Sequence, residues 1–149
     1  MERTYIKDLK EKVGTEVSIS GSVDVRRDQG KLIFFEFRDM TGKVQGVILP
    51  NAKEAHAVGS TLRPEWVVTV HGKVNARPEK NVQKDKENGD IELEILSITV
   101  LSAAHELPFE LGTDVHLDTH LDNFPFTVRS PRSKDIFKMQ ASILNAYRN

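Results

Sequence analysis

The sequence predicts an all-β domain with flanking helices, built as a five-stranded Greek-key barrel. Three observations carry this. Five segments between Glu16 and Leu101 alternate apolar and polar residues with period two, the pattern of half-buried strands. One helix-like interruption, Pro50 to Leu62, falls between the third and fourth of them. Glycines and phase changes break the alternation, as the sharply bent strands of a small closed barrel require.

The elements follow in order. In TYIKDLKEKVG, Thr4 is placed to cap a short amphipathic helix, Ile6, Leu9 and Val13 share a face, and Gly14 stops it. EVSISGSVDVRR is the first strand. Val17, Ile19, Val23 and Val25 point one way, Ser18, Ser20, Ser22 and Asp24 the other, and Gly21 marks a bulge or bend. A turn at Asp28 to Gly30 precedes the second strand, KLIFFEFRD. Ile33, Phe35 and Phe37 form its core face, against Leu32, Phe34, Glu36 and Arg38. Met40 to Gly42 turns the chain into the third strand, KVQGVIL. The fourth, WVVTVHGKVNAR, sets Trp66, Val68, Val70, Val74 and Ala76 against Thr69, His71, Lys73, Asn75 and Arg77. After a polar loop from Pro78 to Gly89, DIELEILSITVL alternates on Ile91, Leu93 and Ile95, then shifts phase to Leu96, Ile98 and Val100, a second bulge signal.

Five strands with a helix between the third and fourth is the order of an OB-fold barrel, which binds oligonucleotides on one face and in its loops. A different five-stranded barrel or an open sheet is the alternative. The expected organisation is a barrel domain over 1–104, an acidic linker or hinge over 105–128, and over 129–149 the first helix of a second, truncated domain. That helix reads as capped by Ser133, with Ile136, Gln140, Ile143, Leu144 and Tyr147 on its stripe and Phe137 beside it. Its pattern stops in mid-period at Asn149, which reads as a cut chain.

Composition narrows the function classes. With no cysteine among 149 residues, disulfides, thiolate zinc sites and cysteine nucleophiles are excluded. The N-terminus is too polar for a signal peptide and no apolar run reaches membrane-spanning length, so a cytoplasmic protein with no membrane partner is expected. The net charge of -1 hides an uneven distribution. Met1 to Lys86 holds sixteen Lys and Arg against twelve acids, Glu87 to Val128 nine acids and no Lys or Arg, and the remainder five bases against one acid. The barrel therefore has room for a basic face, although a mixed solvated surface is the plainer reading of charge alone.

The odd residue is Phe34, an aromatic among charges on the wet side of its strand. On such a barrel it is a platform for a nucleic-acid base, a contact worth about 1–3 kcal/mol per base and tolerant of sequence. Sequence choice then needs polar neighbours. Arg27 and Gln45 flank the aromatic, Glu92 can accept from guanine or from the cytosine amino group, and Arg77 can hold a phosphate or a base acceptor. The alternative is that Phe34 belongs to the core of a twisted barrel.

GSVDVRRDQGKLIFFEFRDMTGKVQGVIL resembles the opening of the anticodon-binding domains of class II aspartyl-, asparaginyl- and lysyl-tRNA synthetases, whose pattern runs R-R-D-x-G-x-L-I-F and then R-D-x-x-G-x-V-Q. VHGKVNARPEKNVQKDKENGDIELEI is similar to the aspartyl enzymes of bacterial type, with G-x-V-x-A-R, a long loop and a closing strand. The resemblance spans nearly the whole barrel. It implies a domain that splays the tRNA anticodon, with Phe34 stacked on the central uridine, Arg27 and Gln45 on that nucleotide, and Glu92 reading an anticodon base, the guanine at the first position. Arg77 and Asn81 would approach the anticodon from the fourth strand and the loop after it. Ser22 stands where the family has tryptophan, and Val25 replaces one of its arginines. Leu-Asp-Thr and Leu-Asp-Asn replace the common bacterial R-Y-L-D-L-R-R, which leaves open service of the asparagine tRNA beside the aspartate tRNA.

The resemblance further implies a parent that forms aspartyl-adenylate from ATP with Mg²⁺ and dimerises through its catalytic domain. The catalytic motifs are missing from these 149 residues, so no cofactor is expected in them. A free-standing OB module that binds single strands without sequence choice is the competing class. An asparaginyl-tRNA synthetase anticodon domain is another alternative. Two weaker motifs remain. His116 and His120 among Asp114, Asp118 and Asp122 lack an identifiable third metal ligand and sit where proline and threonine disfavour a helix. Glu106 and Glu110 flank Leu107 to Phe109 with nothing converging on them, against a paired-carboxylate hydrolase.

Overall fold

The protein is described from a computed structural model, over residues 2–109 and 113–148. The chain divides into two compact units, Met1–Ala104 and His105–Asn149. In the first, β1 (Glu16–Asp28), β2 (Ile33–Arg38), β3 (Lys43–Ile48), β4 (Val67–Ala76) and β5 (Ile91–Ser102) close into a barrel in the order β1-β2-β3-β5-β4. All pairings are antiparallel except β3 with β5. With the short helix α1 (Lys53–Gly59) between β3 and β4, this is the predicted OB-fold.

Alternation on β2 buries Ile33, Phe35 and Phe37 at 0–1% exposure, the two rings stacked with centroids 5.4 Å apart. They meet Val17, Ile19, Val23, Val68, Val70, Val74, Leu93 and Ile95 in one core, which Ala55 and Leu62 join from and beyond α1. Two glycines let the backbone close. β1 pairs with β4 up to Ser22 and with β2 from Ser22 onward. At that handover a Cβ on Gly21 would lie 2.3 Å from the Arg38 carbonyl oxygen. A Cβ on Gly72 would lie 2.4 Å from the Glu94 carbonyl oxygen, beside the register shift between His71 and Gly72.

Several expectations change at points of non-local contact. The bulge of β1 falls between Val23 and Val25, not at Gly21, so Val25 leaves the core face. The bulge of β5 is present, but Leu96 is the extra residue and is exposed, as is Val100, while Ile98 is buried. On β4, Ala76 is exposed and Trp66 lies just before the strand, donating from Nε1 to the Ala104 carbonyl at 2.9 Å.

The N-terminal helix is a 3₁₀ helix, Ile6–Lys12, that buries Ile6 and Leu9 but leaves Val13 exposed. Thr4 does not cap it. Asp39 does, accepting from the Ile6 amide at 3.0 Å and, through its other oxygen, from the Thr41 amide and hydroxyl and the Gly42 amide. Burial pushes the Asp39 carboxyl up, but these hydrogen bonds together outweigh it and hold the group below its ordinary range.

The second unit contains α2 (Leu117–Asp122), α3 (Phe124–Thr127) and α4 (Pro131–Arg148). The expected linker thus carries two short helices. α2 includes His120, whose ring meets Phe124 edge-on at 5.6 Å, so a helix does form where threonine and proline were expected to prevent one. The hydroxyl of buried Thr127 lies within hydrogen-bond distance of the His120, Asn123 and Phe124 carbonyls, of which the His120 contact, the shortest at 3.2 Å, ties α3 to α2. α4 starts one turn earlier than expected. Ser130 caps it by accepting from the Ser133 amide at 3.3 Å, with Pro131 in the first helical position. No group of three or more His, Asp or Glu gathers among the described residues, and Glu110 lies outside them.

Candidate nucleic-acid interface

Period two on β2 turns Phe34 and Glu36 away from the core, and cross-strand register then selects their neighbours. Phe34 pairs with Arg27 of β1 and Val47 of β3, Glu36 with Gln45 of β3, and Asn75 of β4 with Glu92 of β5. Phe34 is half-buried and lies outside the core cluster. Its ring is on the outer face.

Arg27 reaches that face because of the bulge. With unbroken alternation it would follow Val23 to the inside. Two residues opposing one instead moves Val25 and Arg27 outward and gives Arg26 the inward phase. The bulged residue, Asp24, is held from the next two strands: Arg38 Nε lies 3.1 Å from Oδ1 and Lys43 Nζ 2.5 Å from Oδ2. Arg38 also pairs with buried Glu65, whose amide donates to the Val23 carbonyl at 2.8 Å.

Beside the ring lies a groove of ≈ 550 Å³ lined by Phe34, Gln45, Arg77, Asn81, Gln83 and Glu92 among others. Arg27 shares a smaller recess with Phe34, Glu36 and Gln45. All six residues singled out in the sequence therefore fall on one face. Four of them are linked: Gln45 Nε2 donates to Glu92 Oε2 at 3.3 Å, Arg77 Nη2 lies 3.6 Å from the same oxygen, and Arg77 Nη1 donates to the Asn81 backbone carbonyl at 3.4 Å. The Arg77 side chain is only 5% exposed, and its Nε is buried with no hydrogen-bond partner among the described residues. Burial pushes the Glu92 carboxyl above its ordinary range, against the opposing pull of Arg77 and of the Gln45 hydrogen bond.

Chemically this is a π-face next to a linked set of edge donors and acceptors, the equipment with which unstacked bases are held and read. Three participants were missed in the sequence. Glu36 and Asn75 follow from the same alternation that exposes Phe34 and Arg77. Lys86 pairs with Glu36 from the β4–β5 loop, a contact that no local pattern announces.

Residues 17–101 match the family described as OB-fold nucleic acid binding domain. The chain belongs to that family. This OB-fold chain is also 37% identical over 138 residues to an aspartate–tRNA ligase of Lysinibacillus sphaericus, a match covering 91% of the chain and 23% of the relative. Among solved structures, it superposes with a TM-score of 0.82 on asparaginyl-tRNA synthetase from Pyrococcus horikoshii complexed with asparaginyl-adenylate. That match is 27% identical and covers 99% of this chain and 33% of the other. Aspartyl tRNA synthetase from Entamoeba histolytica gives 0.87 at 20% identity over 99% of this chain and 36% of that one, a likeness of fold. The OB-fold chain thus spans about a quarter of the curated relatives it matches.

Proposed function

We propose that this chain is the anticodon-reading part of an aspartate–tRNA ligase. The single observation that carries the reading is the outward Phe34 ring bordering the groove in which Gln45, Glu92, Arg77 and Asn81 are linked. The names of the relatives supply the ligase. In this role a base of the splayed loop stacks on Phe34, which costs the domain no reorganisation because the ring already lies on the surface. Arg27 and Gln45 bracket that nucleotide. Glu92, its carboxylate supported by Arg77 and Gln45, accepts from the N–H groups of a neighbouring guanine. Arg77 and Asn81, at the loop end of the groove, meet the third base or its phosphate.

In the parent, ATP and Mg²⁺ would supply adenylate formation, and dimerisation would use the catalytic domain. Neither step is assigned to side chains of these 149 residues. Where the parent works in the cytoplasm, its partner is the aspartate tRNA, with the asparagine tRNA as the open second substrate. The domain boundaries follow the same reading: 1–104 reads the anticodon, 105–128 links, and 129–149 begins the catalytic part.

The test is binding to anticodon stem-loops carrying GUC, GUU or a scrambled triplet at one salt concentration. Tighter binding of GUC supports the reading. Equal binding of all three would favour a general single-strand binder.

A further inference from the structure

A carboxylate is an unfavourable neighbour for an RNA backbone, yet Glu36 stands two residues from Phe34 on the same face. Its position explains why. Glu36 Oε1 is approached by Lys86 Nζ from the β4–β5 loop and by Arg27 Nη2 from β1 at 3.9 Å. The Glu36 side chain is 17% exposed, whereas Lys86 and Arg27 are 44% and 58% exposed. One sheltered anion thus pairs closely with Lys86 and more loosely with Arg27, the cross-strand neighbour of Phe34. The same loop is fastened further along by Asn88, whose Nδ2 donates to the Lys43 carbonyl at 2.8 Å, and near its start by the Arg77 contact with Asn81. Backbone bonds between Gln83, Lys86 and Gly89 close the stretch between these points on itself, and the Lys86 side chain fastens that closed turn to the barrel. Glu36, Lys86, Gln45, Arg77 and Asn88 all border one recess, continuous in its lining with the groove through Gln45, Arg77 and Gln83.

We propose that Glu36 is a positioning residue for RNA binding: through Lys86 and Arg27 it latches the β4–β5 loop against the barrel and presets two phosphate-binding cations beside Phe34. The inference rests on the anticodon reading and adds a requirement to it. The latch lowers the ordering cost of binding, which would otherwise fall on a charged loop and two long side chains.

The role predicts a sign. Removing a negative charge from a nucleic-acid interface should tighten binding by electrostatics alone. If Glu36 is the latch, Glu36→Gln weakens it instead. The unsubstituted 149-residue chain, Glu36→Gln, Lys86→Met and the double variant would be titrated with labelled GUC and scrambled stem-loops over a salt series. Amide exchange across residues 79–89 would be followed without RNA. Each single variant is expected to lose about two- to fivefold in affinity, the scale of a partly exposed ion pair. The double variant should lose no more than the weaker single, and both singles should speed exchange in the loop. Tighter binding by Glu36→Gln, multiplicative losses, or unchanged exchange would overturn the latch while leaving a wild-type preference for GUC intact. A wild-type chain with no preference for GUC would overturn the anticodon reading and this role together.

Discussion

Replacing Phe34 by alanine separates the base platform from the barrel that carries it. The ring lies on the outer face between Arg27 and Val47 of the adjoining strands, half-buried, while Phe35 and Phe37 beside it are buried to 0–1% exposure. Truncating a fully buried phenylalanine costs about 3–5 kcal/mol. Most of the Phe34 surface is covered by neighbours, so a loss of about 2–3 kcal/mol in stability is expected, short of that for a fully buried ring and within what a domain of ordinary stability tolerates. Binding by the folded fraction should fall as well. A stacked base contributes about 1–3 kcal/mol, so affinity for a GUC stem-loop should fall about 5- to 150-fold. Because the ring carries no charge, the slope of log affinity against log salt should stay the same. Fluorescence anisotropy at several salt concentrations, with a thermal melt of each variant, measures all three quantities. Unchanged affinity would remove Phe34 from the interface. An altered salt slope, or a loss matched by the fraction unfolded, would show the effect to be indirect.

Glu92→Gln should shift discrimination at one base by about 1–3 kcal/mol, with smaller effect on affinity averaged over loops; a uniform change across all loops would make Glu92 structural. Its carboxyl is raised in the fold, so ionising it from the unfolded value upward costs stability, and that cost is complete above the folded value. Gln should therefore flatten the fall in stability as pH rises from acid through this range, and chemical melts of both proteins across pH 4 to 8 would check it. Asp39 has the opposite sign: its carboxyl is held low, so its stabilisation is full above the ordinary aspartate range and lost as pH falls through the folded value. Asp39→Ala should cost about 0.5–2 kcal/mol and speed amide exchange at Ile6 and Lys7; protection retained there would place the cap elsewhere. Gly21→Ala forces a Cβ onto the Arg38 carbonyl, and a loss of about 1–3 kcal/mol in a urea melt is expected, against no change if the strands part freely.

How much of this was legible in the sequence depends on the range of the contact involved. Alternation in KLIFFEFRD was enough to separate Phe34 from Phe35 and Phe37, and alternation with strand order led to the barrel. The side of the sheet that Arg27 takes was not legible, because the bulge that sets it is pinned by Arg38 and Lys43 from other strands. The cap on the first helix comes from Asp39, far along the chain, so Thr4 was a locally reasonable but incorrect choice. α2 and α3 were missed because each is a turn or two long, too short for a hydrophobic period, and is held by Thr127 and by the His120 and Phe124 rings. Asn75 and Glu36 were legible and overlooked. They occupy the same alternating positions as Arg77 and Phe34, and only the pairing register shows what stands opposite them.

The most direct measurement of the central claim is the affinity of this chain for GUC, GUU and scrambled anticodon stem-loops at a single salt concentration. GUC should bind more tightly than the scrambled loop, with GUU below GUC in an enzyme that serves aspartate alone and equal to it in one that serves both tRNAs. Equal affinity for all three would contradict the claim. The face around Phe34 would then hold single strands without reading them.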